Sequence, residues 1–339
     1  MTLLATRRAV LLGLGASGLA GMGLAGCAQL QSPGSLETAE RPSEGGIGGT
    51  GIVGTLVDSK RFTVNGLDLT ADETLALRDA FGPVTRDRLA LGQVLTVEAA
   101  AVETGELRAR ALSIVHPLIG TIESIDRGKI SVLGTEITVE RGAPRKDAAG
   151  RNFRPKVGQR VAVSGLWRGP DVVASRLDLL AEPGAEPAVI AGVVKAGPSP
   201  DRPTLGGLEL RLPGAVAAPA LGTFVTAQGA RSGKGFEVVS LREGRFQGAA
   251  GPLERLSVEG YLDRVPRAPG FVVADLGHSF DPEAKLQSFA EERALYVGPY
   301  VGTFEVALGL PLPENFSQRR RLVERIEDGF DPKGAVSTR

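Results

Sequence analysis

Four glycines, Gly54, Gly120, Gly192 and Gly260, follow one another at intervals of 66, 72 and 68 residues. Each sits in a similar apolar segment: "IVGTLVDSKRFTVNGLDL" (52–69), "LIGTIESIDRGKISVLGTEITV" (118–139), "VIAGVVKAGPSPDRPTLGGLELRL" (189–212) and "SVEGYLDRVPRAPGFVVADL" (257–276). A second glycine (Gly92, Gly158, Gly222, Gly298) follows the first after 38, 38, 30 and 38 residues. Self-similarity at a fixed period marks a tandem array. A chain of 339 residues with this rhythm divides into about four small repeats rather than one or two large domains.

Inside each repeat the apolar period is two, as in "QVLTVEA" (93–99) and "RVAVSG" (160–165). Alternating Val, Ile and Leu at that period predict half-buried strands, and short segments such as "DRG" (126–128) and "RGP" (168–170) predict the turns between them. Each repeat then holds a hairpin, a third strand, a variable segment and a second hairpin. Five strands with the variable segment between the third and fourth is the order of an OB-type barrel, so the expected fold is all-β: tandem small five-stranded OB-like β-barrels. Four such beads in line predict an elongated or gently curved body. Period two predicts Val94, Val97, Val161 and Val163 to be buried in equivalent places, and Gly66 and Gly134 to mark matching corners with positive φ.

Two helices interrupt the β pattern. "DPEAKLQSFAEERAL" (281–295) has Asp281 as N-cap and Pro282 at its first position, which predicts a short helix in the last unit. "PENFSQRRRLVERIEDGF" (313–330) predicts an amphipathic C-terminal helix, with Phe316, Val323, Ile326 and Phe330 on one face and Arg319, Arg320 and Arg321 opposite. The expected division is a signal peptide over 1–26, a lipidated cysteine and disordered tether over 27–50, β-barrels over 51–116, 117–182 and 187–248, a divergent β unit over 252–313, and the C-terminal helix and tail over 314–339.

The beginning of the chain concerns location. A basic "TRR", an uncharged apolar run rich in small residues and "LAGC" (24–27) follow one another, the layout of a secretory signal peptide. Leu24-Ala25-Gly26-Cys27 resembles the lipobox of bacterial lipoproteins. That resemblance implies acylation of the Cys27 thiol, cleavage before it and anchoring of the protein to a membrane through lipid. Ala28 after the cysteine, by resemblance to sorted lipoproteins, implies the outer membrane facing the periplasm. Arg7-Arg8 fits both the twin-arginine export motif and an ordinary basic leader, and both readings stand. Residues 28–50 are rich in Gly, Pro, Ser and Glu, the composition of a flexible tether.

The residues "GTL…FTVNGLDL…LGQVLTV" of the first repeat and "GTI…ISVLGTEI…VGQRVAVSG" of the second resemble domain-of-unknown-function family 5666. This is a small β domain of bacterial envelope proteins, often in tandem. The resemblance is close over roughly 50–180 and weaker beyond. It implies a β fold and an envelope setting, and its residues are strand and turn positions without catalytic meaning.

Candidate chemistry is sparse. His116 and His278 are expected in surface loops, and two separated histidines with one cysteine that is itself an acylation candidate cannot build an ordinary zinc site. No catalytic residue, metal or cofactor is expected. "GARSGKGF" (229–236) lacks the spacing and hydroxyl residue of a phosphate loop and predicts a hairpin turn. The chain carries 39 basic and 39 acidic residues, so its charge gives no support for nucleic-acid binding. One constellation suits a partner: OB-type barrels bind ligands with the loops joining strands one–two and four–five, and those loops carry Lys60, Arg61, Arg127, Lys129, Trp167, Arg168, Arg231 and Lys234. Such a rim suits an envelope protein, an anionic glycan or lipid headgroups, and equally suits solvated turns. The expected function is therefore a non-enzymatic, membrane-anchored scaffold or binding module. The alternative is a glycan-active envelope hydrolase or accessory that uses unremarkable carboxylates.

Overall fold

The dipeptide after the second strand of each of the first three repeats decides how the chain turns back. Asn65-Gly66 (φ 55° and 78°), Leu133-Gly134 (53° and 74°) and Gly206-Gly207 (55° and 82°) all hold two successive positive φ values. That is the type I′ turn whose twist matches a hairpin. Gly66 and Gly134 thus mark the corners the sequence predicts.

The computed structural model describes residues 48–102, 104–180, 187–199, 201–214, 216–264, 271–273, 279–280, 292–300 and 302–323. Barrel 1 comprises β1 (Gly49–Asp58), β2 (Thr63–Val64), β3 (Leu67–Arg78), β4 (Val94–Ala101) and β5 (Leu107–Val115). Strand β1 pairs with both β2 and β4, β2 with β3, and β4 with β5; β3 runs parallel to β5 and closes the five-stranded ring. Barrel 2 comprises β6 (Leu118–Asp126), β7 (Lys129–Val132), β8 (Thr135–Val139), β9 (Arg145–Lys146), β10 (Arg160–Arg168) and β11 (Asp171–Leu179). It closes by the same route, with β9 added beside β11.

Barrel 3 comprises β12 (Ala188–Val193), β13 (Lys195–Ser199), β14 (Arg202–Leu205), β15 (Leu208–Arg211), β16 (Phe224–Ser232) and β17 (Gly235–Glu243). Its first strand is broken only at Val194, so β12 holds β16 and β13 holds β14 around the same ring. The fourth unit comprises β18 (Leu253–Gly260), β19 (Leu262–Arg264), β20 (Phe271–Val273), β21 (Ser279–Phe280), β22 (Ala294–Pro299), β23 (Glu305–Val306) and β24 (Leu308–Pro311). Here β18 pairs with β22, β22 with β24, β19 with β20, and β21 runs parallel to β23. Each of these pairings has the same sense as its equivalent in the other three barrels. The expected all-β array of OB-like barrels is the architecture of this chain.

The second glycine of the rhythm has a defined task in three barrels. Gly92, Gly158 and Gly222 hold φ of 88°, 87° and 86°, and their N–H groups donate to Leu56, Ile122 and Val194 O, each at 2.9 Å. Gly298 does not belong to this set. Ala294 pairs with Gly260 as Leu95, Val161 and Val225 pair with Gly54, Gly120 and Gly192. Counting on from those residues places Gly298 with Gly165 and Gly229, at the bulge of the second hairpin, where a Cβ would meet a backbone oxygen of the facing strand at 1.8–2.4 Å. The repeated 38-residue interval in the fourth unit is a coincidence of two different glycines.

The same register corrects one valine. Val97, Val161 and Val163 fill barrel cores, but Val94 stands one residue before Leu95, the equivalent of Val161. A shift of one reverses the face, so Val94 is buried outside its barrel against Leu166, Val173 and Tyr261. Ala294 and Leu295, expected in a helix, instead begin β22 opposite Gly260 and Glu259; the segment 281–291 lies outside the described residues. Gly49 and Thr50, expected in the tether, belong to β1 and pair with Leu253 and Arg255.

The barrels are not beads in a line. The first strands join them: β1 lies parallel to β18, and β6 lies antiparallel to β12. Apolar residues then connect the 1–4 and 2–3 pairs, with Ala80 against Ile119, Ala162 and Val189. The elongated body expected from the sequence gives way to one compact unit over Gly46–Arg339, because the first strand of every barrel has a free side that another first strand covers.

Candidate functional site

Glu259 is a carboxylate in the buried C-terminal half of β18, one residue before Gly260. Glu140 follows β8, Arg293 precedes β22, and Arg319 lies in the helix α1 (Phe316–Val323). All four are buried, at 4% exposure or less. Arg293 Nε lies 2.8 Å from Glu259 Oε1 and Arg319 Nε 3.0 Å from the same oxygen; Arg319 Nη2 lies 2.7 Å from Glu140 Oε2, and Arg293 Nη1 completes the square on Glu140 Oε1. The Thr55 backbone N–H donates to Glu259 Oε2 at 2.6 Å. Barrels 1, 2 and 4 and the C-terminal helix therefore meet at one charge-balanced core. Burial pushes the Arg293 guanidinium well below the usual arginine range, and neighbouring Arg319 adds to that push. Arginine keeps its proton in proteins, and two carboxylates against two guanidiniums leave no net charge in the interior.

The helix that brings Arg319 here begins at Asn315, whose Oδ1 accepts the Gln318 N–H at 3.2 Å, an N-cap. Arg319 stands three positions after Phe316, which puts both on one face, and both are buried. The expectation that Arg319 faces away from Phe316 is thus corrected for a physical reason: the facing surface offers carboxylates. Arg321 is exposed as expected.

Beside this core, Tyr261 donates its hydroxyl to Glu314 Oε1 at 3.1 Å, and burial raises its phenol above the ordinary range. The Arg168 guanidinium lies 5.6 Å from the centre of the Tyr261 ring. Trp167 turns the other way. Its Nε1–H donates to Ala191 O at 2.8 Å, and its ring fills the space where a Cβ on Gly206 would come within 2.2 Å of it. In barrels 1 and 2 that turn position carries a side chain of its own, Asn65 or Leu133; in barrel 3 it is glycine, and a neighbour's indole takes the place. Trp167, Phe224, Gly192, Gly260 and Tyr261 line a cavity of about 40 Å³ where all four barrels meet. That holds a few waters and is far below the volume of an ordinary ligand pocket.

The other rim residues lie at or beside separate hairpin turns. Lys60 and Arg61 are exposed between β1 and β2, with Arg61 Nε 3.0 Å from Asp68 Oδ2. Arg127 is exposed at φ 48° in the turn before β7, and Lys129 pairs with Glu136. Arg231 reaches across from barrel 3 to Glu123 of barrel 2 at 2.5 Å, and Lys234 sits exposed in the turn before β17, the hairpin expected of "GARSGKGF". The fold brings Trp167 and Arg168 to the junction and leaves the remaining six apart from it, at or beside separate hairpin turns. Cys27, Arg7, Arg8 and His278 lie outside the described residues.

His116 is not a surface residue. Only His116 and Pro117 separate β5 from β6, so the linker is enclosed by the barrels it joins. The His116 Nδ1 lies 3.3 Å from Ser164 Oγ. Among the described residues no three His, Cys, Asp or Glu side chains stand together to hold a metal ion.

Residues 50–112 and 119–178 each match one family model. Its description is Domain of unknown function (DUF5666). The two DUF5666 matches coincide with barrels 1 and 2, so this family's repeat occurs in tandem and each copy is one closed five-stranded ring. Barrel 3 and the fourth unit lie outside the DUF5666 matches and share their strand order. No curated protein and no solved structure matches the chain.

Sequence reasoning missed the square of Glu140, Glu259, Arg293 and Arg319. Its one visible signal was a carboxylate, Glu259, set directly beside Val258 in the strand end "SVEGYL".

Proposed function

We propose that this chain is a lipid-anchored, periplasm-facing scaffold or binding module of the bacterial envelope, without catalytic activity, held to the outer membrane through Cys27. One observation carries the scaffold part: the barrels are joined by strand ladders, β1 to β18 and β6 to β12, rather than by flexible linkers. Ladders of this kind fix the barrels' outer surfaces relative to one another, which is what a platform for partners requires and what a string of independent binding beads would not have. The basic turns at Lys60, Arg61, Arg127 and Lys129 are the exposed cationic features such a platform offers to an envelope protein or an anionic glycan. The anchoring part rests on the "LAGC" segment.

Cys27→Ser removes the sulfur nucleophile. Fractionation of cells expressing this variant should move the protein from the membrane to the soluble periplasm, or leave it unprocessed. A variant that stays membrane-bound and is still cleaved after Gly26 refutes the anchor. Crosslinking of the anchored protein in its own envelope then identifies the partner, and a protein that crosslinks to nothing and binds no isolated anionic glycan is not a scaffold.

A further inference from the structure

The segment between the third and fourth strands differs in charge from barrel to barrel. In barrel 1 it is residues 79–93, with two basic and two acidic side chains. In barrel 3 it is residues 212–223, with no charged side chain. In barrel 2 it is residues 140–159, with six basic side chains and two acids, in a chain whose totals balance. One of those two acids, Glu140, is buried in the ion square. The outer surface of this segment is therefore strongly positive.

The segment is held in place by its backbone. β9 pairs with β11, Leu177 N–H donates to Pro144 O at 2.9 Å, and Phe153 N–H donates to Arg145 O at 3.2 Å. Lys146 pairs with Asn152, so Arg145 and Arg154 stand on neighbouring strands about 5 Å apart. Asp147 closes the loop between them. Its Oδ1 accepts from Ala149 and Arg151 N–H at 3.0 and 2.8 Å, and its Oδ2 from Arg151 Nε at 2.9 Å. Asp178, opposite Lys146, is already engaged by Arg176 Nε and Nη2 at 2.7 and 2.6 Å. Among the described residues Arg145, Arg154 and Lys156 make no ion pair. These three and Arg151 are all exposed.

We propose that this hairpin of barrel 2 is a binding surface for an acidic polysaccharide, a linear glycan with a carboxylate on each of successive sugars. The planar arginine fork takes a carboxylate with two parallel hydrogen bonds, and cations repeated along an open surface suit charges repeated along a polymer. An interface with a folded protein centres on an apolar patch depleted of charge. Here the exposed apolar side chains are Ala148, Ala149 and Val157, which are also too small to anchor in a bilayer. Phe153, the segment's one aromatic, packs on the barrel 2 core and offers no ring on which a nucleic-acid base could stack. The choice of a glycan rests on the envelope setting of the proposed function.

The test is calorimetric titration of the mature full-length protein with polygalacturonate at low ionic strength, with neutral dextran in parallel. Binding should be saturable with polygalacturonate, weaken steeply as sodium chloride is raised, and be absent with dextran. Arg145→Gln with Arg154→Gln should weaken it by about tenfold, the size of two exposed charge contacts. Arg86→Gln with Arg88→Gln removes the same charge from exposed residues of the equivalent barrel 1 segment and should bind as the parent does. Melting temperature shows whether each variant is folded; should the Arg145 and Arg154 pair fail to fold, Lys156→Glu takes its place and should weaken binding similarly. No saturable binding to polygalacturonate overturns the proposal, as does equal loss in the two double variants. Tighter binding to phosphatidylglycerol vesicles or to a DNA duplex than to polygalacturonate also overturns it. Fractionation of Cys27→Ser reads the anchor separately, so a failure of that reading and a failure of this one are told apart.

Discussion

Arg319 and Arg293 are the largest of the fully buried side chains, and both are cations. Their carboxylate partners make burial tolerable, yet a buried ion pair contributes little net stability compared with apolar packing of the same shape. What it adds is intolerance of mismatch. Arg319→Met leaves Glu140 and Glu259 short of a cation and should destabilise the chain by about 3–5 kcal/mol, measured by chemical denaturation. Adding Glu259→Gln to Arg319→Met should recover part of that loss, and simple additivity of the two would show that they do not interact. His116 gives a second expectation at this scale. Burial holds its imidazole below the ordinary histidine range, against the pull of Asp178 and Asp79. The unfolded chain takes up a proton near pH 6.5 that the folded chain refuses. Its contribution is therefore fully present above pH 6.5 and is lost as the pH falls from there toward the lower folded value. Melting temperatures taken from about pH 7.5 to 5 should fall, and His116→Gln should flatten that decline. An unchanged slope would mean that other groups cause it. Period two identified Val97, Val161 and Val163 as core from the sequence because alternation has a local cause. It could not reveal the ion-paired square, whose members come from 140, 259, 293 and 319 and meet only through the fold.

At the scale of elements, the two-residue hairpin turns carry most of what was legible. A glycine at positive φ follows directly from turn sterics, so the corners at Gly66 and Gly134 could be placed without a structure. The turn between β6 and β7 has the same form, with Arg127 at φ 48° ahead of Gly128 at 84°. Arginine in that conformation costs about 1 kcal/mol, and its side chain is exposed. Arg127→Asn makes the turn Asn-Gly, the preferred I′ pair, and should raise stability by about 0.5–1 kcal/mol. A neutral or negative change in denaturation midpoint would contradict the turn assignment. The helix over 281–295 was misjudged at its end for a complementary reason: Ala294 and Leu295 suit a helix as well as a strand, and pairing with β18 outweighs a weak local preference.

For the molecule as a whole, the repeat number and the ring order were legible, and the assembly was not. Nothing local distinguishes a first strand with a free side from one covered by another barrel's first strand. The consequence is cooperativity. Val161 is fully buried in barrel 2, which supplies β6 to barrel 3 and Glu140 to the ion square. Val161→Asp places an unpaired charge in that core. Calorimetry should show all barrels lowered together in one transition, not barrel 2 melting ahead of three unchanged partners. The pairing of β1 with β18 also carries a consequence in time. Thr55 and Glu259, joined by a hydrogen bond, stand 204 residues apart. At usual synthesis rates of about 5–20 residues per second, β18 is made roughly 10–40 s after β1. Throughout that interval the newborn first barrel presents an open strand edge, a template for wrong partners. The order of the repeats thus sets how long the unfinished chain needs shielding.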